Sequence, residues 1–181
     1  MALEHRLENP QRVEELSPPQ TLKRLGLHQG DTFCDIGAGT GLFTFAAAEQ
    51  THSTVYAVEP APRMLEILEE KKARSGAQNV CILDDVAKVP AGSCEAAMIC
   101  TVLHELEAPG EMLGEIARIL RPGATLAVIE FHYRITPMGG PLEHRISPER
   151  VEELAKEHGL VKTNTFELGE NFYTLLFKAG S

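Results

Sequence analysis

The chain has 181 residues, 43% of them apolar and 24% charged, and a formal net charge of −9. This suffices for one globular domain with one core, and the negative balance argues against a protein that lives on nucleic acid or anionic lipid, where phosphate contacts come from Lys and Arg. No apolar run approaches the ~20 residues needed to span a bilayer, and the polar N-terminus lacks a signal-peptide core, so a cytoplasmic protein, monomer or homodimer, is expected.

Residues 1–17 form a polar arm with a break at Asn9-Pro10. Ser17-Pro18-Pro19 opens a helix, with Ser17 as N-cap, proline in the first turn and Leu22 and Leu25 on its apolar side. Thr32–Ile36 is a short apolar run with the pattern of a buried strand. It breaks into Gly37, Ala38, Gly39, Thr40 and Gly41, then continues as an alanine-rich helix to Gln50. Glycines here accept positive φ and let a ligand approach bare backbone, and the orphan N–H groups of the following helix favour a negative group. A nucleotide-type ligand is therefore expected at this turn.

The second strand is Thr54–Val58, ending at Glu59, eighteen residues after Gly41. A carboxylate there can accept from both hydroxyls of a ribose, and Pro60 can pack against a base. Helix 61–75 follows, then a strand from Asn79 to Leu83 and the segment Asp84-Asp85-Val86-Ala87-Lys88-Val89-Pro90. The fourth strand, Ala96–Cys100, runs into Thr101-Val102-Leu103-His104-Glu105-Leu106. Helix 109–120 ends at Arg121-Pro122-Gly123, where proline stops the helix and glycine turns the chain into strand five, Thr125–Ile129. Strand five closes in Glu130-Phe131-His132-Tyr133-Arg134, and residues 131–146 form a loop rich in Gly and Pro. Such a loop inside a compact chain is more often functional than accidental. Ser147-Pro148-Glu149 caps a last helix, and two strands, Val161–Leu168 and Phe172–Lys178, close the chain as a hairpin.

The four cysteines form no C-x-x-C pair and are expected as small buried hydrophobes. No i, i+4 histidine pair exists, so no metal site is expected.

Asp35, Gly37, Gly39 and Gly41 have the acid-x-Gly-x-Gly-x-Gly form, with the third glycine one residue too early for a dinucleotide fingerprint. With Glu59, Asp85 before Pro90, Leu103-His104-Glu105-Leu106 and Arg121-Pro122-Gly123, the chain resembles the class I S-adenosylmethionine-dependent methyltransferases, in particular the small type-11 branch that includes the ubiquinone and menaquinone methyltransferases. The resemblance implies a Rossmann-like, doubly wound α/β sheet of seven strands, mostly parallel, with the seventh antiparallel and slotted between the fifth and sixth. It implies one domain over 1–181, with S-adenosylmethionine as methyl donor and a small-molecule acceptor. It puts Asp35, Gly37, Ala38, Gly39, Gly41, Glu59, Pro60, Asp85, Val86 and Thr101 around the donor, with Asp85 and Val86 at the adenine. His104 and His132 are the candidate bases. Two other functions stay open: a NAD-dependent oxidoreductase, against which Asp35 and the early Gly41 argue, and a donor-binding module without an acceptor site.

Overall fold

The computed structural model describes residues 3–180; residues 1 and 2 of the arm and residue 181 lie outside that span. Seven strands form one sheet in the order β3-β2-β1-β4-β5-β7-β6. They are β1 (Phe33–Ile36), β2 (Val55–Val58), β3 (Val80–Leu83), β4 (Cys94–Cys100), β5 (Leu120–Phe131), β6 (Leu160–Leu168) and β7 (Phe172–Ala179). The first five run parallel, whereas β7 is antiparallel to both β5 and β6 and lies between them, as the resemblance implies.

The helices are α1 (Leu3–Leu7), α2 (Pro10–Leu16), α3 (Pro18–Leu25), α4 (Leu42–Thr51), α5 (Pro62–Ser75), α6 (Pro109–Ile119) and α7 (Pro148–Glu157). Side chains of α3 and α4 pack with Phe33, Val55, Ala57 and Met98 on one face of the sheet. Leu113, Ile116 and Ile119 of α6, with Val151 and Leu154 of α7, cover Cys34, Ile36, Ala97 and Val128 on the other. Neighbouring residues of one strand thus enter different cores, the period of two expected of a strand, and both faces are sealed as parallel strands require.

The arm is not an open coil. Asn9 caps α2, its side chain accepting from the N–H groups of Gln11 and Arg12, so the Asn9-Pro10 break is a helix start with proline in the first turn. Ser17 closes α2 and opens α3 in the left-handed region (φ 40°), and its hydroxyl goes to Gln20 instead of capping the helix. Ser147 does cap α7, accepting from Arg150 N at 3.2 Å. Strand β5 starts earlier than the apolar run suggests. Leu120 pairs with Cys94, the register then breaks, and Thr125 resumes the ladder against Ala96.

The site follows from the winding. From β1 the chain steps outward through β2 to β3, then returns to β4 on the other side of β1 and moves outward to β5. The strand order reverses between β1 and β4, and a crevice opens outside their carboxyl ends.

Candidate functional site

A cavity of about 880 Å³ fills this crevice, near the upper end of the ~300–1,000 Å³ usual for ligand sites. Asp35, Gly37, Ala38, Gly39, Glu59, Pro60, Thr101 and His104 line it. Gly41, Asp85, Val86 and His132 do not.

The glycine turn is built by hydrogen bonds to the end of β2. Gly37 N and Ala38 N both donate to Val58 O, at 2.8 and 3.0 Å. All three glycines have positive φ, and a Cβ on Gly37 would overlap the Val102 side chain. Gly41 is the N-cap residue of α4 and packs away from the cavity, against Phe45 and Leu68.

Asp35 is 3% exposed. Thr44 of α4 donates its hydroxyl to Asp35 at 2.7 Å. The negative group favoured at the N-terminus of α4 is therefore a side chain of the protein itself. Burial, with the nearby charge of Glu59, nevertheless pushes the Asp35 carboxyl up to about 6, against the bond from Thr44.

Glu59, also buried, accepts from Gly39 N and from Ala61 N, both at 2.9 Å. It tethers the glycine turn and the start of α5 at once. A carboxylate has about four acceptor positions, so two remain.

Across the switch point, Thr101 follows β4 with φ 54°, a left-handed conformation unusual for a β-branched residue. His104 stands on a single 3₁₀ turn, Leu103–Glu105. Its Nδ1 lies 2.7 Å from Glu130 Oε2, and its backbone N donates to Glu130 Oε1 at 3.3 Å. Glu130 is 1% exposed. A carboxylate only accepts, so Nδ1 carries the proton and Nε2 is the basic nitrogen of the neutral ring. Burial would lower the His104 pKa, but the bond and charge of Glu130, aided by Glu105, raise it above the ordinary value. Phe131 stacks edge-on to the ring at 5.7 Å.

His132 takes the other side of the strand. Phe131 lines the cavity, and its neighbour turns away by the period of two. The His132 ring lies near Tyr173 and 3.6 Å from Glu167. Burial, with the charges of Arg134 and Arg145, lowers its pKa against the pull of Glu167. Asp85 caps the 3₁₀ turn Val86–Lys88 by accepting from Ala87 N at 2.9 Å, and Val86 is buried beneath it. Both stand one strand further out than Glu59. Among the described residues no three His, Cys, Asp or Glu side chains gather as metal ligands.

The cavity's outer walls come from the arm and the 131–146 loop. Leu7 lies against the glycine turn, and Lys71 of α5 joins Glu8 of the arm to Thr40 O. Arg145 is the hub of the loop, donating to the carbonyls of His132, Arg134, Met138 and Gly140 and to the Thr136 hydroxyl. Asn171, fully buried in the β6–β7 turn, accepts from Met138 N and donates to Glu15 of the arm.

Residues 34–128 match the family model of the methyltransferase domain. The chain belongs to this family. A demethylmenaquinone methyltransferase of Tropheryma whipplei is 32% identical over 113 residues, covering 61% of the chain and 46% of that protein. An uncharacterized methyltransferase of Mycobacterium tuberculosis is 31% identical over 114 residues, covering 62% and 44%. The chain thus spans less than half the length of these curated relatives. A SAM-dependent methyltransferase of Aquifex aeolicus superposes with a TM-score of 0.90 at 25% identity, over 97% of this chain and 96% of that one. This methyltransferase domain carries its glycine turn and acidic strand ends within the matched span, whereas Glu130, Arg145 and Asn171 lie beyond it. The signal for Glu130 was present in the sequence: like Asp35 and Glu59, it is an acid closing an apolar strand run.

Proposed function

We propose that the chain transfers the methyl group of S-adenosylmethionine to a small-molecule acceptor by direct displacement. The observation that carries this reading is one cavity lined by the glycine turn, Glu59, Asp35 and His104. Glu59 has acceptor positions left for ribose hydroxyls, and Pro60 and Ala61 provide a flat apolar wall for a base. Asp35 can receive an ammonium group, which would return a buried acid to its charged form. Gly41 shapes this pocket from behind, and Asp85 and Val86, which do not line the cavity, would meet only an adenine that reaches past Glu59 toward β3.

The donor supplies an electrophilic methyl group on a sulfonium, already a good leaving group. The protein's share is to align the acceptor at ~3–3.5 Å and exclude water. Phe131 and Met138 furnish an apolar wall for the acceptor beside His104. When the attacking atom arrives protonated, His104 Nε2 takes that proton, and Glu130 holds the ring and balances the imidazolium. His132, facing away, is left out of this scheme.

The oxidoreductase alternative loses ground for a physical reason. A dinucleotide pyrophosphate would need the N-terminus of α4, and the Asp35 carboxyl already stands there, accepting from the Thr44 hydroxyl at 2.7 Å.

Calorimetric titration of S-adenosylmethionine, with NAD in parallel, tests the reading. Micromolar donor binding is expected, weakened roughly 10- to 100-fold in Glu59→Gln for loss of charged hydrogen bonds and less in Asp85→Ala. Binding of NAD alone would overturn it.

A further inference from the structure

The acceptor end of the cavity carries a charge that the reading above leaves idle. Arg145 lines it together with Phe131, Met138 and Gly139. Its guanidinium bonds only to neutral acceptors, the carbonyls of the loop and the Thr136 hydroxyl. Among the described residues no carboxylate stands within ion-pair distance of it. Nη1 donates to His132 O, Arg134 O and Thr136 Oγ1, whereas Nη2 donates to Met138 O alone. Each of these nitrogens has two protons, so one proton of Nη2 and an unanswered positive charge are left over.

The residue beside Nη2 is a glycine. A Cβ at Gly139 would stand 2.9 Å from Nη2 and 3.0 Å from the Phe131 ring. Glycine therefore leaves that nitrogen and that ring uncovered at one point of the wall. The same ring adjoins the base. His104 lies edge-on to Phe131 at 5.7 Å, and the Arg145 guanidinium is 5.8 Å from the ring centre. Base and cation thus stand at nearly equal reach of one aromatic side chain, close enough for the Arg145 charge to act on His104. The chain as a whole, at −9, repels small anions, so the attraction for one is local to this wall. A ligand that uses every group here has a flat apolar body for Phe131, an acidic hydroxyl for His104 Nε2 and an anionic group for Arg145.

We infer that Arg145 binds a carboxylate of the methyl acceptor, and that the acceptors are aromatic hydroxy acids methylated on the hydroxyl oxygen. This rests on the methyl-transfer reading proposed above. A guanidinium meets a carboxylate through charge-assisted bonds about twice as strong as neutral ones. In the transfer His104 Nε2 takes the hydroxyl proton and the oxygen forms its bond to the methyl carbon. The carbon–sulfur bond breaks, its electron pair goes to sulfur, and the sulfonium becomes a neutral thioether. The carboxylate is unchanged, and Arg145 holds it throughout.

The test offers meta- and para-hydroxybenzoate, and the matching hydroxybenzamides of the same shape without the charge, to the full chain saturated with S-adenosylhomocysteine. Calorimetry reads binding; with S-adenosylmethionine in place of the product, mass spectrometry reads the methyl ether. Wild type is expected to bind at least one acid roughly 10- to 100-fold more tightly than its amide and to methylate it. Arg145→Gln loses that preference, and Arg145→Lys, which keeps the charge without the fork, retains part of it. A mere brace of the loop would weaken acid and amide alike, and thermal unfolding verifies that each variant folds. Equal affinity of wild type for each acid and its amide overturns the inference without any variant, and so does a preference that survives in Arg145→Gln. Failure of both acids to bind or to be methylated by a chain that holds S-adenosylhomocysteine overturns it as well. If S-adenosylhomocysteine itself does not bind, the methyl-transfer reading fails and this inference falls with it.

Discussion

Replacing Glu130 by glutamine removes a charge while keeping the shape and an acceptor for the His104 Nδ1–H, and it sets the amide NH2 against the His104 backbone N–H, a cost that does not depend on pH. Glu130's oxygens meet the His104 ring at 2.7 Å and the His104 backbone N at 3.3 Å. Burial alone pushes the His104 pKa down, and the upward push comes chiefly from Glu130. In the variant burial remains and the push is gone, so His104 titrates at lower pH. A hydrogen bond to a charged group contributes about 1.5–3 kcal/mol against about 0.5–1.5 for a neutral one, so the exchange costs about 1–2 kcal/mol while His104 is protonated. A raised folded-state pKa gives stability that is fully present below the unfolded value of about 6.5 and is lost as pH rises through the folded value. The deficit of Glu130→Gln is therefore largest at about pH 5–6.5 and shrinks at higher pH, where the variant also avoids burying a carboxylate. For a chain of this size the deficit lowers Tm by about 2–8 °C. NMR titration of the histidine Cε1–H signals, with His104→Gln identifying the resonance, reads the pKa, and thermal unfolding on the two sides of about pH 6.5 reads the stability. A His104 midpoint that stays or rises in Glu130→Gln, or a Tm deficit that grows with pH, would refute the reasoning.

Asp35 runs the same way with pH, but its replacement has the opposite effect on stability. Its carboxyl is raised from 3.8 to about 6, so the folded state holds the proton more tightly over that window and stability falls as pH rises through it. Asp35→Asn is expected to raise stability at about pH 7 by up to about 3 kcal/mol and by much less near pH 4, while weakening donor binding; an equal loss of stability at both pH values would contradict this. Gly41→Ala adds a Cβ 2.6 Å from the Phe45 ring and 2.8 Å from Leu68 at a φ of 86°, whereas Gly76→Ala at φ 68° meets open space. Strain and overpacking together make the first cost about 2–4 kcal/mol and the second about 1, and equal losses in denaturant unfolding would be inconsistent with the packing. Asn171→Ala removes the side chain that joins Met138 N to Glu15. Limited proteolysis is expected to cut the arm and the 131–146 loop more readily in parallel; loosening of one alone would show that the two are not coupled there.

The sheet was legible because its signals are periodic and local. Most strands are short apolar runs closed by glycine, proline or an acid, β4 running instead into Thr101, and each helix of the sheet layers begins at proline or glycine, as at Pro62, Pro109 and Pro148. Departures fall where a partner far along the chain decides. Strand β5 begins at Leu120 because Cys94 pairs with it, which no property of Leu120 announces. Ser17 is spent on closing α2 before it can cap α3. The arm was the least legible part. Its short helices have little apolar periodicity, and its order comes from single contacts: Arg12 to Thr101, Glu8 to Lys71 and Glu15 to Asn171.

The same limit governs the site. Asp35, Glu59 and Glu130 carry one sequence signal, an acid within one residue of the carboxyl end of a buried strand. What distinguishes them is what the fold sets against each. Asp35 meets the hydroxyl of Thr44, too little to offset its burial, and its pKa is left raised. Glu59 meets two backbone N–H groups and holds the glycine turn with acceptor positions to spare. Glu130 meets an imidazole and makes it more basic. Residue type and place along the strand thus locate the acids, while partners 9, 20 and 26 residues away set them apart: one left raised by burial, one holding the glycine turn and one making His104 more basic.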